Sequence, residues 1–347
     1  MKTRIAMVGL GMAVTPHARG LMDLFERVDV VYAFSPSAKR RKSFGERFPF
    51  PICDNLNTIL DDASVEAVLV LTPANTHLDI VAKCAAAGKH VLLEKPIEIS
   101  TARAAELVAL CRAAGVKLGI VLQHRFRPAG MKLAETLQSG ALGGIVGCST
   151  VIRLWRPQSY YDEPGRGTMA RDGGGVLISQ GIHTLDLMLS LAGPVSVVTG
   201  FAGTTSVHRM ETEDMVCAAA RFASGAIGTI DATTSAYPGF PERIELVCEK
   251  GTASLVGTSL SVLYQDGRST EIAPDQTAGG TGADPMAFPH DYHRSVMVDF
   301  IDAVSAGRDP KVTGEEALRV HRLIDALIEA GATGKPVSVA GSGAAAR

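Results

Sequence analysis

The first 122 residues alternate short apolar runs with helical patterns, and this alternation constrains the fold more than any other feature. The runs are RIAMV (4–8), VDVVYAF (28–34), VEAVLVL (65–71), HVLLE (90–94) and VKLGIVL (116–122). Helical periodicity covers 16–27, 38–47, 55–62, 76–87 and 101–114, and two of these stretches run into Gly88 and Gly115, as helix C-termini do. Near-continuous Val, Ile and Leu describes strands buried on both faces. Such strands, separated by helices, build a parallel, doubly wound sheet.

The pattern changes after residue 123. A helix is expected at 129–139, a long strand at 144–155 and a helix at 179–191. Strands follow in VSVVTGFAG, DMVCAAARFA, AIGTIDATTS, RIELVCEK, TASLVGT and LSVLYQDG, many separated by turn pairs at 224–225, 250–251 and 266–267. This is the pattern of an antiparallel sheet made by hairpins. Helices at 291–305 and 314–330 close the chain. With 347 residues, about two domains are expected. They are read as 1–123 and 124–340, followed by a tail, 341–347, with nothing to bury and expected to be disordered.

Composition narrows the function. Hydrophobic residues make up 46% and charged residues 20%, and the formal net charge is −2, as in a globular protein with no basic block to suit nucleic acid. The N-terminus MKTRIAMVGLGMAV has charge before an apolar run, but Gly9 and Gly11 break that run and no cleavage site follows, so it reads as a first strand and turn rather than a signal peptide. No apolar run approaches the ~20 residues of a membrane helix. The six cysteines (Cys53, Cys84, Cys111, Cys148, Cys217 and Cys248) form no CxxC pair. They read as small buried hydrophobes in a reducing, cytoplasmic setting.

GLGMAV (9–14) directly follows the first strand and precedes a helix. Glycines there let the backbone turn tightly and approach a pyrophosphate, which then sits on free helix amides. The loop therefore points to a dinucleotide-binding Rossmann domain, with Gly9, Gly11 and Met12 at the cofactor. Val14 stands where the fingerprint has Gly or Ala, which suggests a slightly displaced helix. Past the second strand comes AFSPSAKRRK (33–42). Ser35 occupies the position where NAD sites carry an acid, and Ser37, Arg40 and further basic residues follow. Hydroxyls and cations suit a 2′-phosphate that a carboxylate would repel. NADP(H) is therefore expected to be preferred, with NAD(H) possible. A solvated basic helix face is the alternative reading.

LTPANTH (71–77) and LLEKPIEIS (92–100) lie past the carboxyl ends of two strands, the edge along which doubly wound sheets take ligands. Lys95 would point into that cleft, although a lone lysine is more often a solvated surface residue. GGGVLISQGIH (173–183) has the look of a phosphate loop but sits mid-chain and ends in His183.

Together, GLGMA, TPANTHLDIVAKCAAAGKHVLLEKP and GGGVLISQGIHTLDLM closely resemble the Gfo/Idh/MocA (glucose–fructose oxidoreductase / inositol dehydrogenase) family. The resemblance extends to ERIELVCEKGTASL (242–255) and GEEAL (314–318). It implies an α/β fold: an N-terminal Rossmann doubly wound parallel sheet plus a C-terminal α/β domain with an open, mainly antiparallel sheet. It implies hydride transfer between a nicotinamide cofactor and a carbinol or ketone of a sugar, cyclic polyol or related carbohydrate. By resemblance, Lys95 lies near the reacting oxygen and His183 is the acid/base. Thr72, Pro73, Asn75, His77, Glu94, Lys95 and Gln123 join the cofactor site. A homodimer or homotetramer, packed through the open sheet face, is implied as well.

An imidazole titrates near neutrality and works in both directions, and an ammonium stabilises an alkoxide. Three glycines would let the backbone pass close to a ligand, and Asp186 lies one turn after His183. Two departures stand out. His124 replaces the usual Asn in QHRFRP (123–128), and Ser179 replaces an Asp four residues before His183. Substrate contacts are expected from His124, Arg125, Trp155, Arg156, Ser179, Gln180 and His183, although core packing is the alternative for Trp155. In HDYH (290–293), His290 and His293 have helical spacing but no evident third ligand, so no metal is assigned. Two rival functions remain open: an NAD-dependent glycosidase with transient oxidation, and a non-catalytic dinucleotide sensor.

Overall fold

A computed structural model describes residues 2–275 and 289–341, so the expected disordered tail lies, Gly341 aside, outside the described residues. The chain forms two compact units, Met1–Gln123 with His290–Leu318, and His124–Pro289 with Arg319–Arg347.

In the first unit β1 (Thr3–Val8), α1 (Val14–Asp23), β2 (Val28–Phe34), α2 (Ala38–Gly45), β3 (Ile52–Cys53), α3 (Leu56–Asp61), β4 (Ala67–Val70), α4 (His77–Ala86), β5 (His90–Glu94), α5 (Thr101–Ala113) and β6 (Leu118–Val121) follow in order. The six strands lie β3-β2-β1-β4-β5-β6, every pair parallel. Met7, Val8, Val68, Val70, Val91 and Leu93 have no exposed surface, which is why these strands are apolar throughout rather than alternating. The order reverses between β1 and β4, and ligands of such sheets bind at the carboxyl ends flanking that reversal. Side chains cap three of the helices: Ser37, Asn55 and Ser100 each accept an amide hydrogen at the start of α2, α3 and α5. At α1 the equivalent residue is Ala13, which has no side chain to do so.

The second unit carries α6 (Pro128–Gln138), β7 (Ile145–Arg153), the short α7 (Gln158–Tyr161) and α8 (Met169–Asp172), a π-helical turn (Leu177–Gly181) and α9 (Ile182–Ala192). Then come β8 (Val195–Gly203), β9 (Met215–Phe222), β10 (Ile227–Thr233), β11 (Arg243–Cys248), β12 (Gly251–Val256), β13 (Ser259–Tyr264) and β14 (Ser269–Ile272). The nine-stranded sheet is ordered β14-β13-β12-β11-β7-β10-β9-β8-β15, where β15 is Val337–Ser338. Only β7 and β10 pair in parallel; the other neighbours are antiparallel. α6 and α9 cover one face. The other carries Phe201, Ile227, Val247 and Leu263, all exposed. Cys217 lies on this face too, between Phe201 and Asp231 in register, and Cys53 is half-buried, so two of the six cysteines depart from the expected buried role.

Residues 290–318, expected with the second domain, belong to the first unit. α10 (Asp291–Ala306) buries Val296, Met297, Phe300 and Ile301. It is pinned to α1 through Asp23, whose carboxylate accepts from His290 at 2.8 Å and Arg294 at 2.7 Å. Its apolar stripe gives the sheet a second covering layer. α11 (Gly314–Thr333) then leads into the second unit. One helical run among the described residues, Met169–Ala192, is long and apolar enough to cross a membrane by composition, but most of it is buried inside the protein as a core helix.

Candidate active site

Gly9 closes the turn from β1 to α1 at φ 107°, and a Cβ there would stand 2.6 Å from the Leu71 carbonyl carbon. Only glycine brings the ends of β1 and β4 so close. A Cβ on Gly11 would meet nothing within 4 Å, so the loop opens onto free space beside the uncapped amides of α1. That arrangement fits a pyrophosphate, whose charge would sit on those amides. Buried Val14 opens the helix at the position the fingerprint gives to a small residue.

At the end of β2, Ser35 is buried and its hydroxyl accepts the Ser37 amide hydrogen at 3.3 Å. The Arg41 guanidinium donates to the carbonyls of Ser35 at 2.7 Å and Pro36 at 3.2 Å. The Arg40 side chain is exposed, as are Lys39 and Lys42. Gln123 ends the unit buried, and its Oε1 has no hydrogen-bond partner among the described residues.

His77 has a different role from the one expected. It is buried, with Nε2 2.8 Å from the Thr72 carbonyl and Nδ1 3.1 Å from those of Pro96 and Ile97. Burial lowers its pKa against the pull of these carbonyls. The imidazole therefore ties the TPANTH loop to the EKP loop. Of the loop, Pro73 and Asn75 are exposed and Thr72 is half-buried, its hydroxyl accepting from Thr76 at 2.9 Å. Lys95 stands half-buried just past β5, with its amide hydrogen donated to Glu94 Oε2 at 2.9 Å.

In the second unit the last glycine of the triplet is required by packing. A Cβ on Gly175 would lie 1.7 Å from the Glu213 carbonyl oxygen. The Glu213 carboxylate accepts the Gly175 and Leu177 amide hydrogens at 2.9 and 3.1 Å, anchoring the start of the helical run. Burial raises its pKa. Ser179 and Gln180 lie in the π-helical turn, not in a regular helix, and His183 follows one residue into α9. Ser179 Oγ reaches back to the Gly174 carbonyl at 3.5 Å, and Gln180 Nε2 donates to Tyr160 Oη at 3.2 Å. Single π-turns within helices recur at functional sites.

His183 and His124 pack with ring centroids 5.0 Å apart and their planes tilted by 31°. Arg127 donates to His124 Nε2 at 2.6 Å and also pairs with Glu242. Arg125 binds Asp186, so the carboxylate one turn after His183 is directed at the guanidinium. Trp155 packs edge-on against Tyr237 at 5.5 Å, and Tyr160 lies under the Arg166 guanidinium at 4.2 Å. Buried Arg156 donates to the Trp155 carbonyl at 2.7 Å. Sequence reasoning did not single out Glu213, which lies in none of the quoted motifs, nor Arg127 and Glu242, although both fall inside quoted stretches.

Two family models match the chain. Residues 3–121 match the oxidoreductase family, NAD-binding Rossmann fold, and residues 131–254 match the GFO/IDH/MocA C-terminal domain. The chain belongs to the GFO/IDH/MocA family. A myo-inositol 2-dehydrogenase of Thermotoga maritima is 27% identical over 90% of this chain and 91% of its own. Among GFO/IDH/MocA structures, the WlbA dehydrogenase from Bordetella pertussis, solved with NADH and UDP-GlcNAcA, superposes with a TM-score of 0.83 at 26% identity, covering 97% of this chain and 99% of that one. Levoglucosan dehydrogenase in complex with NADH and levoglucosan shares the fold, with a TM-score of 0.87 at 19% identity over 98% and 100% of the two chains.

Proposed function

We propose that the protein is a nicotinamide-dependent dehydrogenase acting on a CH–OH group of a sugar, cyclic polyol or related carbohydrate. The observation that carries this reading is the cradle at the strand-order reversal: Gly9 against Leu71, open space at Gly11, and α1 without a side-chain cap. The inositol dehydrogenase and the WlbA dehydrogenase, both matched over nine-tenths or more of the chain, support the substrate class. The bound dinucleotide supplies the hydride acceptor or donor. The loop amides hold its pyrophosphate. His183 takes the hydroxyl proton during oxidation and returns it during reduction. The Lys95 ammonium stabilises developing alkoxide charge. Gln180 turns its buried, unpartnered Oε1 to a substrate hydroxyl.

NADP(H) is the proposed preference, supported by Ser35 at the acid position and by the exposed Arg40 beside it. NADH in the WlbA complex argues for the competing reading. The apolar outer face of the nine-stranded sheet supports a homo-oligomer, and six free cysteines suit the reducing cytoplasm.

The test is a panel of cyclic polyols and sugars with NAD+ and NADP+, followed by formation of reduced nicotinamide. Lys95→Met is expected to lower turnover by about 100-fold or more while cofactor affinity stays within a few-fold. Unchanged turnover would remove Lys95 from the chemistry, and no turnover on any member of the panel would favour the sensor reading.

A further inference from the structure

Three side chains distant in sequence converge in the first unit: His17 on α1, Glu94 at the end of β5 and His293 on α10. One donor atom from each lies within 4.8 Å of the other two. His17 and His293 are buried and meet edge to face, with ring centroids 5.0 Å apart. His17 Nε2 is 2.7 Å from Glu94 Oε1, and its Nδ1 is buried with no hydrogen-bond partner. The other Glu94 oxygen accepts the Lys95 amide hydrogen at 2.9 Å, which fixes the carboxylate's orientation.

We propose that His17, Glu94 and His293 form a binding site for one Zn2+ ion that clamps α10 to α1 and the end of β5. The donor set is the argument. Two imidazoles and one carboxylate on three rigid elements are the ligands of borderline-soft Zn2+, which leaves a fourth position for water. Oxygen-seeking Mg2+ and Ca2+ have no such match.

The carboxylate's charge, away from water, is what a divalent ion would neutralise. The i, i+3 spacing of His290 and His293 pointed elsewhere, because His290 turns to Asp23 and the two other ligands lie nearly 200 residues or more upstream. His290 is therefore no part of the site.

The full-length protein, stripped with a chelator, is incubated with Zn2+ alone, desalted and assayed for metal and for thermal midpoint. One Zn2+ per chain and a midpoint raised by about 5 °C are expected. Mg2+ should give neither. His293→Gln and His17→Gln should each abolish retention. A crystal soaked in Zn2+ is expected to show anomalous density at about 2.0–2.2 Å from all three donors, a readout that does not depend on either variant folding. No retained metal, equal retention by both variants, or density elsewhere would overturn the proposal, and the His17–Glu94 pair would then be a plain buried hydrogen bond.

Discussion

Arg125 holds Asp186 by two hydrogen bonds, Nε to Oδ2 at 2.7 Å and Nη2 to Oδ1 at 2.6 Å, with both side chains buried. The pair joins the segment that opens the second unit to α9, the helix that carries His183. Arg125→Met would leave a buried carboxylate without its partner and is expected to cost roughly 3–5 kcal/mol. The urea midpoint should fall with the slope unchanged. The double variant Arg125→Met/Asp186→Leu should recover most of that loss. Equal losses in the single and double variants would show that packing, not charge, holds the helix.

Two adjacent carboxyls give a pH signature. Asp214 is buried, which by itself raises its pKa, but the Thr205 hydroxyl and amide, Ser235 and His208 all bond to it and bring it below 3.8. Its stabilising contribution is therefore complete above pH 3.8 and is lost as pH falls through its lower folded-state value. Glu213 runs the opposite way. Its folded pKa lies above 4.5, so it costs stability as pH rises from 4.5 to that value. Asp214→Asn is expected to be less stable than the parent at pH 7 and to approach it at acid pH. A gap that stays constant through the acid range would contradict this account.

The proposed cofactor preference turns on one position. Ser35→Asp puts a carboxylate where a 2′-phosphate would lie, and the ratio of kcat/KM for NADPH to that for NADH is expected to fall at least 10-fold, about 1.4 kcal/mol. Arg40→Ala should lower the same ratio less, because an exposed cation is screened. If the parent already favours NADH and Ser35→Asp leaves the ratio unchanged, Ser35 does not read the ribose.

The first unit was legible because each of its main strands is apolar on both faces and each helix between them has its own periodicity. The two-residue β3, in a Pro-flanked stretch, carries no such signal. The strand-end positions of the glycine loop and Lys95 were legible because each directly follows an apolar run. His77 was misread because a loop motif does not say whether a ring faces a ligand or three carbonyls. The packing role of Gly175 was illegible for a similar reason: its Cβ position is filled by the Glu213 carbonyl, 38 residues on, and its amide hydrogen goes to the Glu213 carboxylate. The return of α10 to the first unit was illegible because a periodic helix shows that it has an apolar face, not which sheet will bury it. The same holds for His17, Glu94 and His293, whose meeting depends on that return.

The outer face of the nine-stranded sheet yields the remaining prediction. In register across it run Phe201, Cys217, Asp231, Val151 and Arg243 on successive strands, with Ile227, Val247 and Leu263 on the same face. Phe201 is 79% and Ile227 60% exposed. Large apolar side chains gathered on one sheet face mark an association surface, since a monomer would leave them in water. Phe201→Asp together with Ile227→Asp places two charges on that face, where a buried unpaired charge is costly. The parent is expected to elute as a dimer or tetramer in light-scattering chromatography and the double variant as a monomer. Both side chains are exposed in the single chain, so far-UV circular dichroism should not change. A parent that is monomeric at micromolar concentration, or a variant whose mass is unaltered, would show that this face is not where copies of the chain meet.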